Sequence, residues 1–164
     1  TVVARLFNCI GARQVGRYGM VVPRFIGQAL AGENLTVYGT GDQSRCFTHV
    51  SDIVKWLLLL IENDAAVGEV VNLGNPCEIS IVDLARKIID VAGADVGIDF
   101  IPYDKAYEAG FEDMHRRVPD ISKISALTGY TPKVPIDESL RLTCDWFRQQ
   151  RAGDAQAHAA NAAD

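Results

Sequence analysis

The first seven residues, TVVARLF, make a near-continuous apolar run broken only by an arginine, and that run limits the folds open to the chain. A strand with so little polar alternation is one buried on both faces, which is the situation of a strand inside a parallel sheet. Such a strand needs partners on its flanks, and few other runs in the sequence can supply them. The expectation is an α/β chain that begins inside a larger fold. The other end reads differently: AGDAQAHAANAAD, residues 152–164, has few large side chains and no apolar period. Residues 1–151 are therefore expected to form the folded portion, and 152–164 a disordered, alanine-rich tail.

Between these ends helical and strand signals alternate. A glycine- and arginine-bearing loop, GARQVGRYG (11–19), precedes MVVPRFIGQALAG, in which Val22, Phe25, Ile26 and Leu30 share one helical face. LTVY and RCFTHV read as short strands joined by GTGDQS, and Ser51 reads as the cap of a helix reaching Glu62. EVVNLGNP is a buried strand ending at a turn. Ser80, with Asp83 three residues on, predicts a capping box for SIVDLARKIIDVAG, and Gly93 its stop. VGIDFIPY predicts a strand, and DISKISALTG and DESLRLTCDWFRQQR predict helices. The order is mixed α/β without internal repeats.

Several functions are disfavoured at this level. A net charge of -5 leaves no basic footprint for nucleic acid or an anionic membrane. The longest apolar stretch, IVKWLLLLI, contains Lys55 and is too short to span a bilayer. Cys9, Cys46, Cys77 and Cys144 are scattered, with no CxxC pair and no histidine at ligand spacing, as expected for free thiols in a cytoplasmic protein without a metal site. No nucleophile elbow, HExxH or P-loop occurs, YGTG lacks the third glycine of a dinucleotide turn, and His49, His115 and His158 stand alone. No catalytic residue is assigned. What remains is a set of binding groups: Asn8 at a strand end, and Arg13, Arg17, Arg45, Arg116 and Arg117 in loops or at strand ends. Together they suggest a diphosphate.

Four segments, ARLFNCIGARQ, YGMVVPRFIGQALAGENLTVYGTGDQSRCFTHVSDIV, NLGNPCEISIVDLARKI and RRVPDISKISALTGYTPKVPIDESL, resemble in order the landmarks of the C-terminal half of the extended short-chain dehydrogenases. These are the NAD-dependent nucleotide-sugar epimerases, dehydratases and decarboxylases. The resemblance implies an α/β fold, the C-terminal substrate-binding portion of a Rossmann-type enzyme whose N-terminal NAD-binding half is absent. It implies NAD held mainly by that half, and a UDP- or dTDP-sugar as substrate. Homodimerisation through helices is usual in such enzymes, most of those helices lying in the other half.

By resemblance, Arg45 after the YGxGxQ turn reaches the diphosphate, where a guanidinium pairs bidentately with phosphate oxygens as lysine does not. Asn8, from the FN pair, also approaches the phosphates. Val22, Pro23 and Phe25, with Leu35, Val37, Tyr38 and Gly39, form the base and ribose pocket, and Arg117 or Arg116 closes over it. Val22, Phe25 and Val37 fit an ordinary core equally well. Ala12 stands where the family has proline, and Cys46 where a less reactive residue is common. The YxxxK pair is absent, since Tyr18, Tyr38, Tyr103, Tyr107 and Tyr130 all lack a lysine four positions on. The piece alone is thus expected to be inactive, within an enzyme that oxidises the sugar C4 hydroxyl transiently. UDP-glucose 4-epimerase-like chemistry is the first expectation. UDP-glucuronate decarboxylase and dTDP-glucose 4,6-dehydratase are alternatives, and a non-catalytic nucleotide-sugar binding module is the alternative from another class.

Overall fold

A computed structural model describes residues 1–16, 20–102 and 114–161, with side chains to 153. Arg17, Tyr18, Tyr103, Tyr107 and His158, which entered the sequence reading, lie outside what is described at side-chain level. The strands are β1 (Val3–Leu6), β2 (Cys9–Ile10), β3 (Leu35–Tyr38), β4 (Ser44–Cys46), β5 (Thr48–His49), β6 (Val70–Leu73), β7 (Glu78–Ser80), β8 (Ile98–Ile101) and β9 (Arg116–Arg117). The helices are α1 (Val21–Ala31), α2 (Val50–Ile61), α3 (Ile81–Ala92), α4 (Ser122–Thr128) and α5 (Ile136–Asn161), with a 3-10 turn at Asp64–Ala66.

The opening run does form a strand in parallel pairing, with Val3 opposite Val70 and Leu6 opposite Leu73. It is not buried on both faces: Val3 and Leu6 are 49% and 53% exposed, and β6 is its one partner among the described residues. LTVY and RCFTHV do not pair with each other. β3 joins β8 in parallel register, while RCFTHV divides into β4 and β5, which serve different sheets. β4 is the middle of a three-stranded sheet, antiparallel to β7 and parallel to β9, and β5 pairs with β2.

Two cores hold these pieces. In the first, Val22, Phe25 and Ile26 of α1, Leu35 and Val37 of β3, Leu84 and Ile88 of α3, and Leu140 and Cys144 of α5 pack together. Each large aliphatic or aromatic side chain buried there contributes about 1.5–3 kcal/mol relative to exposure. The second core gathers Ile53, Trp56 and Leu60 of α2 with Val71 and Leu73 of β6 and Ile124 of α4.

Helix ends follow local chemistry. Ser80 Oγ accepts from the Asp83 amide at 3.1 Å, and Gly93 closes α3 in a left-handed conformation, as expected. The cap of α2 is His49 in place of Ser51: its Nδ1 accepts from the Ser51 amide, because the helix starts two residues earlier than expected. α5 continues to Asn161, into the stretch expected to be disordered. Alanine is the strongest helix former, and the stretch contains no proline to stop propagation from the packed turns before it.

Asp52, in the first turn of α2, is 1% exposed and ties the second core to the chain's later part. Its carboxylate accepts from the Tyr130 hydroxyl at 2.6 Å and from the amides of Lys133 and Val134, each at 3.1 Å. The Tyr130 ring meets Trp56 edge-on, with centroids 5.8 Å apart.

Candidate functional site

Side chains on successive strand residues point to opposite faces, so the register of β4 with its neighbours sorts its residues. Ser44 lies opposite Arg116 and Ser80, and Cys46 opposite Glu78; this set shares one face. Arg45 lies opposite Arg117 on β9 and Ile79 on β7, on the other face.

The first face is closed by its own charges. Arg116 donates from Nε to Glu78 Oε2 at 2.9 Å and from Nη2 to Oε1 at 2.6 Å, and Ser44 Oγ donates to Glu78 Oε2 at 2.7 Å. The Arg116 hydrogen bonds, followed by Ser44, hold the Glu78 carboxyl below its usual range. Burial, reinforced by Glu78 and Cys77 and opposed by Arg116, pushes the Cys46 thiol up to about 11, so it stays protonated and unreactive at neutral pH.

On the second face two arginines are in register, and Asn8 joins them. Asn8 stands just past β1 with φ 38°, a left-handed conformation that asparagine tolerates better than most residues. That turn brings its amide between β4 and β9: Nδ2 donates to the Cys46 carbonyl at 2.8 Å, and Oδ1 accepts from Arg117 Nη2 at 2.8 Å. Its own carbonyl accepts from the Thr48 amide at 3.1 Å, so the residue is held by three hydrogen bonds. Arg117 also lies 6.0 Å from the Phe7 ring centroid, and Arg45 donates from Nη1 to the Ser44 carbonyl at 2.7 Å. Like charges opposite one another in a sheet repel, so two guanidinium positions in register on one face concentrate positive potential there.

Asn8, Arg45 and Arg117 are therefore brought together from positions far apart in the chain, and of the two candidate closing arginines it is Arg117 that shares a face with Arg45. Val22, Phe25, Leu35 and Val37 are placed in the first core, and Pro23 is buried on α1; Phe25, Leu35 and Val37 are fully buried and present no surface. Tyr38 and Gly39 sit at the end of β3. The Arg24 guanidinium lies 4.6 Å from the Tyr38 ring centroid and donates to the Thr36 carbonyl at 3.0 Å, and Gln43 Nε2 donates to the Tyr38 carbonyl at 3.3 Å. Gly39 has φ 66° and donates to the Ile101 carbonyl at 2.8 Å, turning the chain toward β4. Arg24, Asp52 and Glu78 escaped the sequence reading, since none stands at a motif spacing. Among the described residues no cluster of acidic, histidine or cysteine side chains could hold a metal ion, all four cysteines are free, and no helix is long and apolar enough to cross a membrane.

Comparison with known proteins places this arrangement. The sequence model of the family described as GDP-mannose 4,6 dehydratase matches residues 1–143. UDP-glucuronic acid decarboxylase 1 of Xenopus tropicalis is 45% identical over 148 residues, 90% of this chain and 33% of that protein. A solved epimerase from Methanothermobacter thermautotrophicus superposes with a TM-score of 0.84 at 30% identity, over 92% of this chain and 44% of its own. A UDP-glucuronic acid 4-epimerase from Bacillus cereus, solved with UDP-glucuronic acid and NAD, superposes with a TM-score of 0.79 at 28% identity, over 91% of this chain and 45% of its own. The chain spans between a third and a half of the length of the curated relatives it matches.

These matches correct two expectations, the recognition of the chain as a C-terminal half and the fold class of a substrate-binding portion whose NAD-binding half is absent. The family match takes in residue 1 and runs to 143, and the superposed fold covers nearly the whole chain. They support a Rossmann-like α/β portion of an extended short-chain dehydrogenase. The parallel pairing of β1 with β6 is sheet of that kind.

The glycines beyond the carboxyl ends of parallel strands, where such sheets bind ligands, test the fit of a dinucleotide. A Cβ at Gly11, after β2, would meet Val50 Cγ1 at 2.7 Å, and one at Gly74, after β6, would meet Pro119 Cγ at 2.7 Å. In both cases the side on which a Cβ would stand is filled by protein, so packing within the chain accounts for each glycine.

Proposed function

The chain belongs to the GDP-mannose 4,6 dehydratase family of extended short-chain dehydrogenases, and from that premise we propose that it is part of an NAD-dependent nucleotide-sugar decarboxylase acting on a UDP-uronic acid such as UDP-glucuronate. The reading rests on one observation, the convergence of Arg45, Arg117 and Asn8 on one sheet face. Two guanidinium groups in register match the two phosphates of a nucleoside diphosphate, and Asn8 steadies the second of them. Tyr38 and Gly39 border the nucleoside, and the buried Val22, Pro23, Phe25, Leu35 and Val37 act beneath them as the floor that fixes the backbone. Likeness to UDP-glucuronic acid decarboxylases moves decarboxylation ahead of the 4-epimerisation favoured from sequence. A cytoplasmic setting accompanies the reading.

In the net reaction the bond from the sugar ring to its carboxylate breaks, carbon dioxide leaves and a proton takes its place. NAD supplies transient hydride acceptance in enzymes of this kind, and none of the residues described here is assigned to hold it. The part of Arg45, Arg117 and Asn8 is to bind and orient the diphosphate.

The test uses the full-length enzyme containing these residues, with UDP-glucuronate and NAD. Release of carbon dioxide with formation of a UDP-pentose is the expected result, and Arg45→Ala is expected to weaken UDP binding by about 2–5 kcal/mol. Formation of the 4-epimer with the carboxylate retained would return the epimerase reading to first place, and UDP binding indifferent to Arg45 would remove the site.

A further inference from the structure

The NLGNP segment has no part in the site as described, yet its glycine stands beneath it. Gly74 follows β6, is buried, and does not have a positive φ, so backbone conformation does not demand glycine here. Space does. A Cβ would lie 2.7 Å from Pro119 Cγ, 3.1 Å from Pro119 Cβ and 2.9 Å from Phe7 Cβ. None of these is the far end of a flexible side chain: two belong to a proline ring and one is fixed to the backbone.

The two neighbours of Gly74 are the two supports of the site. Phe7 immediately precedes Asn8, and Pro119 ends the short arm that begins with Arg116 and Arg117. Both are anchored to the same ledge. The Phe7 amide donates to the Leu73 carbonyl at 2.9 Å, and Asn72 Nδ2 donates to the Asp120 carbonyl at 3.1 Å. The Thr48 hydroxyl accepts from the Asn75 amide at 2.8 Å and donates to the Phe7 carbonyl at 3.2 Å, bolting the turn after Gly74 to the residue before Asn8. Any side chain at 74 must therefore push Phe7 and Pro119 apart, and with them Asn8 and Arg117.

We propose that Gly74 is a positioning residue for the diphosphate site: by leaving room for Pro119 against Phe7, it sets the separation at which Arg117 meets Asn8 and aligns with Arg45. The inference rests on the reading of that face as a nucleoside diphosphate site. It makes the glycine of NLGNP an element of affinity, acting through contacts it does not itself make with the ligand.

The experiment is UDP titration by calorimetry on the full-length enzyme, wild type and variants, with unfolding midpoints measured alongside. Gly74→Ala is expected to weaken UDP binding on the order of tenfold, the loss of one charge-assisted contact. In an Arg117→Ala background the same change is expected to cost clearly less than in the wild type, because one of the two groups it displaces has already been removed. Pro119→Ala, which loosens the contact from the opposite side without adding atoms, is expected to weaken UDP binding in the same Arg117-dependent way and serves if Gly74→Ala does not fold. A lowered unfolding midpoint with unchanged UDP affinity, or losses that add fully to that of Arg117→Ala, would overturn the proposal while leaving the diphosphate site intact. UDP binding indifferent to both Arg45 and Arg117 would overturn the site reading and this inference with it.

Discussion

Replacing Asp52 by alanine removes a carboxylate that is 1% exposed and that serves three donors, the Tyr130 hydroxyl and the amides of Lys133 and Val134. Hydrogen bonds to charged groups contribute roughly 1.5–3 kcal/mol each, which would give about 4–9 kcal/mol if they were independent. They are not independent, since all three donors belong to one segment that can move outward and rehydrate its two amides. The Tyr130 hydroxyl has less freedom, because its ring is packed edge-on against Trp56 and its carbonyl accepts from Trp56 Nε1 at 3.3 Å. A loss of about 3–4 kcal/mol is therefore expected, within the range for breaking a buried polar network. For a chain of this size that corresponds to a fall in melting temperature of about 6–16 °C. Urea unfolding followed by fluorescence and by far-ultraviolet circular dichroism measures it, with Asp52→Asn, which keeps one acceptor oxygen, expected to fall between the wild type and Asp52→Ala. Combining Asp52→Ala with Tyr130→Phe should cost less than the sum of the two alone, as both remove the same bond. A change below about 0.5 kcal/mol for Asp52→Ala, the size of an ordinary surface substitution, would refute the assignment of Asp52 as the clasp of the second core.

Two further outcomes follow from the same geometry. Burial first, and then the bond to Asp52, push the Tyr130 hydroxyl from 10.0 up to about 12. A phenol held more tightly protonated in the folded state contributes stability that is complete below pH 10.0 and is lost as the pH rises through about 12. The alkaline unfolding curve should therefore contain a contribution in that window that Tyr130→Phe lacks, and identical pH profiles for the two proteins would count against it. Arg116 and Arg117 are neighbours in sequence on opposite sheet faces, so Arg117→Ala should lower UDP affinity while Arg116→Gln leaves it at the wild-type value. Equal losses for both would mean that the sorting of the two faces is wrong.

What could be read from sequence was local. The Ser80 cap and the Gly93 stop of α3 depend on contacts within a few residues, and they stand as expected. The cap of α2 slipped by two residues because His49 and Ser51 can each serve there, and their side chains contact one another at 2.7 Å. Motif order marked Asn8, Arg45 and Arg117 as candidates, although spacing alone could not choose between Arg116 and Arg117. That choice depends on the register of β4 with β9, which pairs Arg45 with Arg117 across the intervening chain.

The sequence by itself determined the α/β character, the apolar face of α1, the helix ends of α3 with their local caps, and the residue types able to meet a diphosphate. Tertiary structure alone decided which of those residues meet. It sent Phe25, Leu35 and Val37 into the core, tied Asp52 to partners 78 to 82 residues away, and set Gly74 between Phe7 and Pro119. The physical reason is the range of the forces that choose. Caps and periodicity are satisfied within a turn of chain, whereas strand register and close packing are fixed only when distant segments exclude water from the same space.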